Sequence, residues 1–283
     1  MDVMEKTMKK YFPLFVLPTL VAFLIAFVVP FVMGVYLSFC EFTTVTNAKF
    51  VGVANYIRAF SNQDFLRALI FTVLFAAVAI VTINVFGFLL ALMLTQKLPG
   101  RNLFRTVFFM PNLIGGIVLG YIWQSMINGV LSSFGMTMLM DAKYGYWGLI
   151  ILMNWQMIGY IMIIYIAGLQ NVSTDVLEAA KIDGANKLQT SFRVTIPMMM
   201  PSITICLFLT ISNSFKMFDQ NLALTGGGPS GKTTMLALDI YKTFYDKVGF
   251  EGVGQAKAVL FFLIVAGIAM AQLVLTRRKE VES

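Results

Sequence analysis

ALIFTVLFAAVAIVTINVFGFLLALMLTQ, residues 68–96, contains no Asp, Glu, Lys or Arg. Crossing the ~30 Å hydrocarbon core of a bilayer takes about 20 helical residues, so this stretch is long enough to span. It is also far longer than the ~10 alternating residues of a barrel strand. A helix satisfies its own backbone polar groups in lipid, which makes it the natural form here. Five further stretches on either side are free of charge: 11–40, 106–140, 144–174, 194–215 and 258–276. The chain of 283 residues is 58% hydrophobic and 12% charged, with a mean hydropathy of +0.80. Soluble domains carry roughly 25% charged residues, so this composition does not cover a water-facing surface. The expectation is an all-α polytopic membrane protein with six transmembrane helices.

Short Lys/Arg-rich loops stay in the cytoplasm. Lys6, Lys9 and Lys10 precede the first span, and Lys97, Arg101 and Arg105 crowd the link between spans two and three. Lys181, Lys187 and Arg193 lie between spans four and five, and Arg277, Arg278 and Lys279 follow the last span. Six spans put all four groups on one face. The expected layout is a cytoplasmic N-terminus at 1–10, a membrane domain at 11–276 and a cytoplasmic tail at 277–283. The first apolar run is too long for a secretory signal and lacks a small-residue cleavage site, so it is read as an uncleaved span. The chain has no His, the commonest general base and metal ligand. Its two cysteines, Cys40 and Cys206, suggest no disulfide framework. No metal site is expected, and no Lys or Arg is expected to be buried.

TGGGPSGKTT, residues 225–234, matches the phosphate-loop pattern from Gly226 to Thr233. Such a loop needs a preceding strand, a following helix and an α/β domain around it. The topology instead places it between spans five and six, outside the cell, with only a short segment available. Pro229 removes one of the N–H donors a phosphate cradle uses. The expectation is a Gly-Pro turn on the outer surface, with no nucleotide bound by this chain.

The inner link between spans four and five has unusual content. Asp175 and Glu178 stand three apart, the spacing of a capping pair at a helix start. Glu178, Ala179, Ala180 and Lys181 are good helix formers, and Gly184 supplies a left-handed stop. A second short helix is expected from Lys187 to Arg193, leading to Pro197. On these residues the chain resembles the membrane subunits of binding-protein-dependent ABC importers, in the text EAAKIDGA followed by VTIPMMMP. The family pattern of Glu-Ala-Ala, a later glycine and Ile-x-Leu-Pro falls on Glu178, Ala179, Ala180, Gly184, Val194, Ile196 and Pro197, with Val for Ile and Ile for Leu. GFLLALML, FRTVFFMPNLIGGIVLGYIW and LTGGGP also resemble that family, the last being typical of the first of two permeases in multiple-sugar, maltose-type systems.

The resemblance implies a type I ABC importer permease fold in a bacterial plasma membrane, with a coupling loop over 174–197. Glu178, Ala179, Ala180, Asp183, Gly184 and Pro197 would form the contact that couples to the ATPase. The implied partners are a second homologous permease, two cytoplasmic ATPase subunits, an extracellular solute-binding protein and a sugar, with no nucleic acid. ATP and Mg would sit on the ATPases, and this chain would be no enzyme.

A substrate path through such spans is built from uncharged polar and aromatic groups. The candidates are Tyr121, Gln124, Asn154, Gln156, Tyr160, Asn213, Ser214 and Met217, with Asn84, Asn112, Trp155 and Phe215 beside them. Amides both donate to and accept from hydroxyls, which suits a polyol. The competing reading is that Asn and Gln only bond neighbouring helices. A second functional class, an ion-coupled secondary transporter of a small neutral solute, ordinarily places acidic, basic or histidine residues inside its spans, and the six stretches hold none of these.

Overall fold

The computed structural model describes residues 2–278, so most of the expected 277–283 tail, Lys279 included, lies outside the described residues. The elements begin with α1 (Asp2–Phe23), a π turn (Leu24–Val28), α2 (Val29–Leu37), β1 (Cys40–Glu41), β2 (Lys49–Phe50) and α3 (Ala54–Phe60). Next come α4 (Gln63–Leu94), α5 (Arg101–Phe109), a 3₁₀ turn (Met110–Leu113), α6 (Gly116–Ser132) and α7 (Ala142–Gln170). After them follow α8 (Thr174–Ile182), α9 (Lys187–Thr190), a π turn (Ser191–Thr195), α10 (Ile196–Met198) and α11 (Met200–Phe215). The last are α12 (Asp219–Leu224), α13 (Leu236–Tyr245) and α14 (Glu251–Arg277). The two-residue antiparallel ladder β1–β2 is the one departure from an all-α chain among the described residues.

Four helical stretches are long and apolar enough to cross a membrane: Leu14–Leu37, Gln63–Leu94, Ala142–Gln170 and Glu251–Arg277. The other two expected spans are broken. Arg101–Leu113 meets Gly116–Ser132 at 100°, and Lys187–Met198 meets Met200–Phe215 at 72°. Counting each bent pair as one span gives the expected six among the described residues. The first break has two successive extended residues, Ile114 and Gly115, directly after the Pro111 turn. At the second, Pro201 has no N–H for the Pro197 carbonyl, and Met199 leaves helical geometry at ψ 2°.

The chain forms two compact units. One runs up to Asn62 and returns over Ile240–Leu260; the other holds Gln63–Asp239 and the chain from Phe261 on. In the first unit, Pro30 lacks an N–H for the Ala26 carbonyl, and the π turn immediately before it absorbs that missing bond. Asn55 is buried and donates to the carbonyls of Ser38 (3.0 Å) and Cys40 (2.8 Å), closing the ladder onto α3. Lys257, inside α14, is fully buried and donates from Nζ to Thr243 Oγ1 at 2.8 Å. This corrects the expectation of no buried cation: α14 starts at Glu251, well before the charge-free stretch at 258–276.

The core of the second unit lies where α4 meets α7, with Phe75, Ile83, Leu149, Leu152 and Ile161 excluded from solvent. A smaller cluster joins α4, α11 and the later part of α14 through Ala76, Ile211 and Phe215 against Phe261 and Ile264. Gly159 lets α7 approach α5 closely: a Cβ there would strike the Phe108 carbonyl. Gly116 and Gly120, one turn apart, do the same for α6 on α12, where added Cβ atoms would meet Asp219 and Gln220, and then Ala223.

Candidate functional site

The link between α7 and α11 folds as helix, glycine stop, helix. Its N-cap is Ser173, whose Oγ accepts from the Asp175 N–H at 3.3 Å. This corrects the Asp175–Glu178 capping pair: Asp175 lies inside the first turn, where a carboxylate favours the positive helix end. At the other end Gly184 has φ +78°, its N–H reaches the Lys181 carbonyl at 3.1 Å, and the Ala185 N–H reaches the Ala180 carbonyl at 3.0 Å. That is the double bond pattern of a Schellman stop, which needs a left-handed residue. Asn186 and Gln189 then cap α9 reciprocally, at 2.8 and 2.9 Å. The second helix is shorter than expected, with α9 ending at Thr190 and a π turn carrying the chain to Pro197 in α10.

Glu178, Ala179, Asp183 and Gly184 are exposed, while Ala180 and Pro197 are half-buried. Neither Glu178 nor Asp183 forms an ion pair among the described residues. Ile182, Leu188 and Phe192 are exposed by 86%, 71% and 68%, so the loop presents large apolar side chains beside its charges. It is nonetheless anchored to the core through buried Val172 and Met199 and through Leu177.

The polar membrane residues divide into two sets. Gln124 and Gln156 form a seam along the broken third span. Gln156 Nε2 donates to the Ile114 carbonyl at 3.3 Å, its Oε1 accepts from Gln220 Nε2 at 2.8 Å, and Gln124 Nε2 donates to the Leu224 carbonyl at 2.9 Å. Gln220 escapes the sequence reading because it stands outside the charge-free stretches. Tyr121 and Asn213 are exposed, and Tyr160 is half-buried with its ring 6.4 Å from Phe109. Trp155 is exposed beside Trp123, edge to face at 5.7 Å.

The second set points inward. Ser214 is buried and donates to the Thr210 carbonyl at 2.7 Å, and Met217 is buried in the main core. Asn154 donates to the Ile150 carbonyl at 2.8 Å, while its Oδ1 is buried with no hydrogen-bond partner. Asn84 bonds Thr210 and Tyr165, the helix-to-helix use that competes with a substrate role.

The 225–234 segment has no strand before it, only the six-residue α12. The Thr233 hydroxyl, which a phosphate loop offers to a metal, donates instead to the Gly228 carbonyl at 2.6 Å. Buried Asn221 holds the segment from beneath, donating to Thr225 Oγ1 and the Thr233 carbonyl and accepting from the Met235 N–H. Lys232 is exposed. Among the described residues no three His, Cys, Asp or Glu side chains gather where they would hold a metal.

The chain is thus a helical membrane protein with two broken spans, a polar seam at one break and an exposed helix–glycine–helix link. The chain belongs to the family of binding-protein-dependent transport system inner membrane components, which matches residues 83–281. It is therefore a multi-pass ABC importer permease, and such subunits are not themselves enzymes. It is 43% identical over 277 residues to the probable starch degradation products transport system permease protein AmyD of Thermoanaerobacterium thermosulfurigenes, covering 95% of this chain and 94% of that protein. It is 31% identical to the multiple sugar-binding transport system permease protein MsmF of Streptococcus mutans serotype c, over 98% of this chain and 99% of that one. The trehalose/maltose transport system permease protein MalF of Thermococcus litoralis is 28% identical, over 92% and 91%. A solved bacterial ABC transporter involved in the import of the acidic polysaccharide alginate contains a chain that matches with a TM-score of 0.81 at 20% identity, covering 97% of this chain and 98% of that one. The type I importer permease fold implied by the sequence resemblance is thus the fold found.

Proposed function

We propose that this chain is the first of two permeases in an importer of neutral gluco-oligosaccharides, forming half of the translocation path and coupling to a separate ATPase through residues 174–197. The observation that carries the proposal is the α8–Gly184–α9 link. It is exposed, rigidly terminated, and offers carboxylates next to bare apolar side chains. A helix presenting small residues such as Ala179 fits a groove on a partner. Glu178 and Asp183 would take charge-assisted hydrogen bonds there. The class of solute is suggested by the relatives named for starch degradation products, multiple sugars and trehalose/maltose.

In this reading both termini are cytoplasmic and an extracellular solute-binding protein delivers the sugar. ATP and Mg are bound by two partner ATPase subunits, and this chain holds no cofactor of its own. Closing of the ATPases drives both coupling helices together and switches the bundle between discrete packings. Sugar contact falls to the exposed and half-buried set: Tyr121, Gln124, Gln156 and Tyr160 near the third-span break, and Asn213 on α11. Asn154, Ser214 and Met217 reach sugar only in a packing where α7 and α11 separate.

The test uses the complex purified from its own cells through a tag on this chain. In proteoliposomes it should accumulate labelled maltodextrin only with ATP on the ATPase side and binding protein on the other. Uptake by this chain alone, driven by a sodium or proton gradient, would instead establish the secondary-transporter reading.

A further inference from the structure

We propose that the second unit carries a binding site for an anionic phospholipid at the start of the broken third span, with Arg105 as the headgroup ligand. The site is a cavity of about 260 Å³ lined by Arg105, Thr106, Phe109 and Ile163. It depends only on the chain being a membrane protein, not on the sugar or the ATPase.

Three observations converge. The first is the state of Arg105. Its Nη2 donates to the Leu94 carbonyl at 2.7 Å, one of the orphan carbonyls at the C-terminal end of α4. Its Nε–H is buried and has no hydrogen-bond partner. A buried donor without an acceptor is costly, and because Nε has no open surface in this packing, a headgroup oxygen reaches it only when the guanidinium turns toward the cavity. The guanidinium fork matches phosphates and carboxylates, and of the two the phosphate is the group a bilayer supplies.

The second is charge. Lys97, Arg101 and Arg105 lie in the link and first turns of α5, and no Asp or Glu occurs anywhere between Asp64 and Asp141. None of the three forms an ion pair among the described residues. Each basic residue beside a membrane span attracts anionic headgroups by about 1 kcal/mol.

The third is the shape of the lining. Arg105 and Thr106 give it a polar end, whereas Phe109 and Ile163 give it an apolar wall. Ile163 is itself at the surface of α7, and Leu103 and Val107 on α5 are exposed by 67% and 50%. A free aqueous phosphate gains nothing from that wall. A phospholipid satisfies both ends, placing its phosphate on Arg105 and an acyl chain along Phe109 and Ile163. The wedge would also brace α5 against α7, where Gly159 brings the two backbones together.

The assembled complex in detergent is titrated with dioleoyl phosphatidylglycerol or dioleoyl phosphatidylcholine and read by native mass spectrometry. Phosphatidylglycerol is expected to bind about tenfold more tightly, because both lipids offer the phosphate but phosphatidylcholine also brings its choline cation against Arg105. Arg105→Gln and Ile163→Trp are each expected to abolish that margin, the first by removing the charge and the second by filling the cavity. Ile163→Trp leaves the Arg105 cap on α4 in place, so it still decides the matter if Arg105→Gln fails to fold. Inorganic phosphate at millimolar concentration is expected not to compete. Equal binding of the two lipids, a margin that survives Ile163→Trp, or phosphate competing as well as the lipid would each overturn the assignment.

Discussion

The hydroxyl of Tyr165 on α7 donates to Asn84 Oδ1 on α4 at 2.7 Å, and the Asn84 amide donates onward to Thr210 Oγ1 on α11 at 3.0 Å. One asparagine therefore ties three helices together inside the apolar core. Interhelical hydrogen bonds in membranes contribute about 0.6–2 kcal/mol each. Asn84→Leu is expected to destabilise the folded permease by about 1–3 kcal/mol, because it also leaves the Tyr165 hydroxyl without its acceptor. Tyr165→Phe removes one bond and no packing, so its effect should be smaller. Thermal unfolding of the purified variants in detergent checks the order, and an unshifted midpoint for Asn84→Leu would refute the network's structural role.

Gly159 sets the spacing of α5 and α7. A methyl at this position would collide with the Phe108 carbonyl, which is backbone and has no rotamer to yield. Gly159→Ala is expected to cost about 1–3 kcal/mol, the range for overpacking a well-packed contact. The yield of folded protein in membranes should fall with it. Gly115→Ala serves as the control, since nothing lies within 4 Å of its added Cβ.

Gly184 poses the opposite case. Its Cβ direction is empty within 4 Å, yet its φ is +78°. The restriction is therefore conformational, about 1–2 kcal/mol for an ordinary side chain in the left-handed region. Asn tolerates that region and β-branched residues do not. Under the coupling reading, Gly184→Asn should keep ATP-driven uptake close to the parent, whereas Gly184→Val should leave the protein inserted but uncouple ATPase activity from uptake. Glu178→Lys should uncouple as well, through reversed charge at the docking face. Uptake and ATP hydrolysis measured on the same vesicles give the ratio that decides, and full coupling in Gly184→Val would count against the assignment.

The six spans and the glycine stop are legible in the sequence because each is a one-dimensional signal. A run without charge reports length in lipid, and a glycine after helix formers reports a left-handed residue. The bends at spans three and five are not legible, since proline alone does not encode them. Pro30 sits within a helical stretch that passes the spanning test unbroken, whereas Pro111 adjoins a 100° turn. The residues after each proline make the difference: helix continues past Pro30, while extended Ile114 and Gly115 come soon after Pro111. Composition also names polar residues without saying which way they face. Ser214 and Asn213 are neighbours in sequence, but one is buried and the other exposed. Lys257 is hidden for a related reason, because its burial depends on Thr243 from another helix.

The 225–234 segment offers a separation of motif from mechanism. As a phosphate loop it would depend on Lys232; as a structural turn it depends on Asn221. Lys232 is exposed and makes no ion pair among the described residues, so Lys232→Ala should change stability by no more than about 0.5 kcal/mol. Transport should be unaffected, and no fluorescent ATP analogue should bind either the parent chain or the variant. Asn221 is fully buried and meets Thr225 Oγ1, the Thr233 carbonyl and the Met235 N–H at 2.9, 2.8 and 2.9 Å. Asn221→Ala would orphan two of those backbone groups in the interior, at about 1–3 kcal/mol for each group left unsatisfied. Protease sensitivity between Gly226 and Thr234 should rise sharply in that variant while Lys232→Ala remains protected. The reverse pattern, nucleotide binding lost with Lys232 and the loop indifferent to Asn221, would restore the phosphate-loop reading.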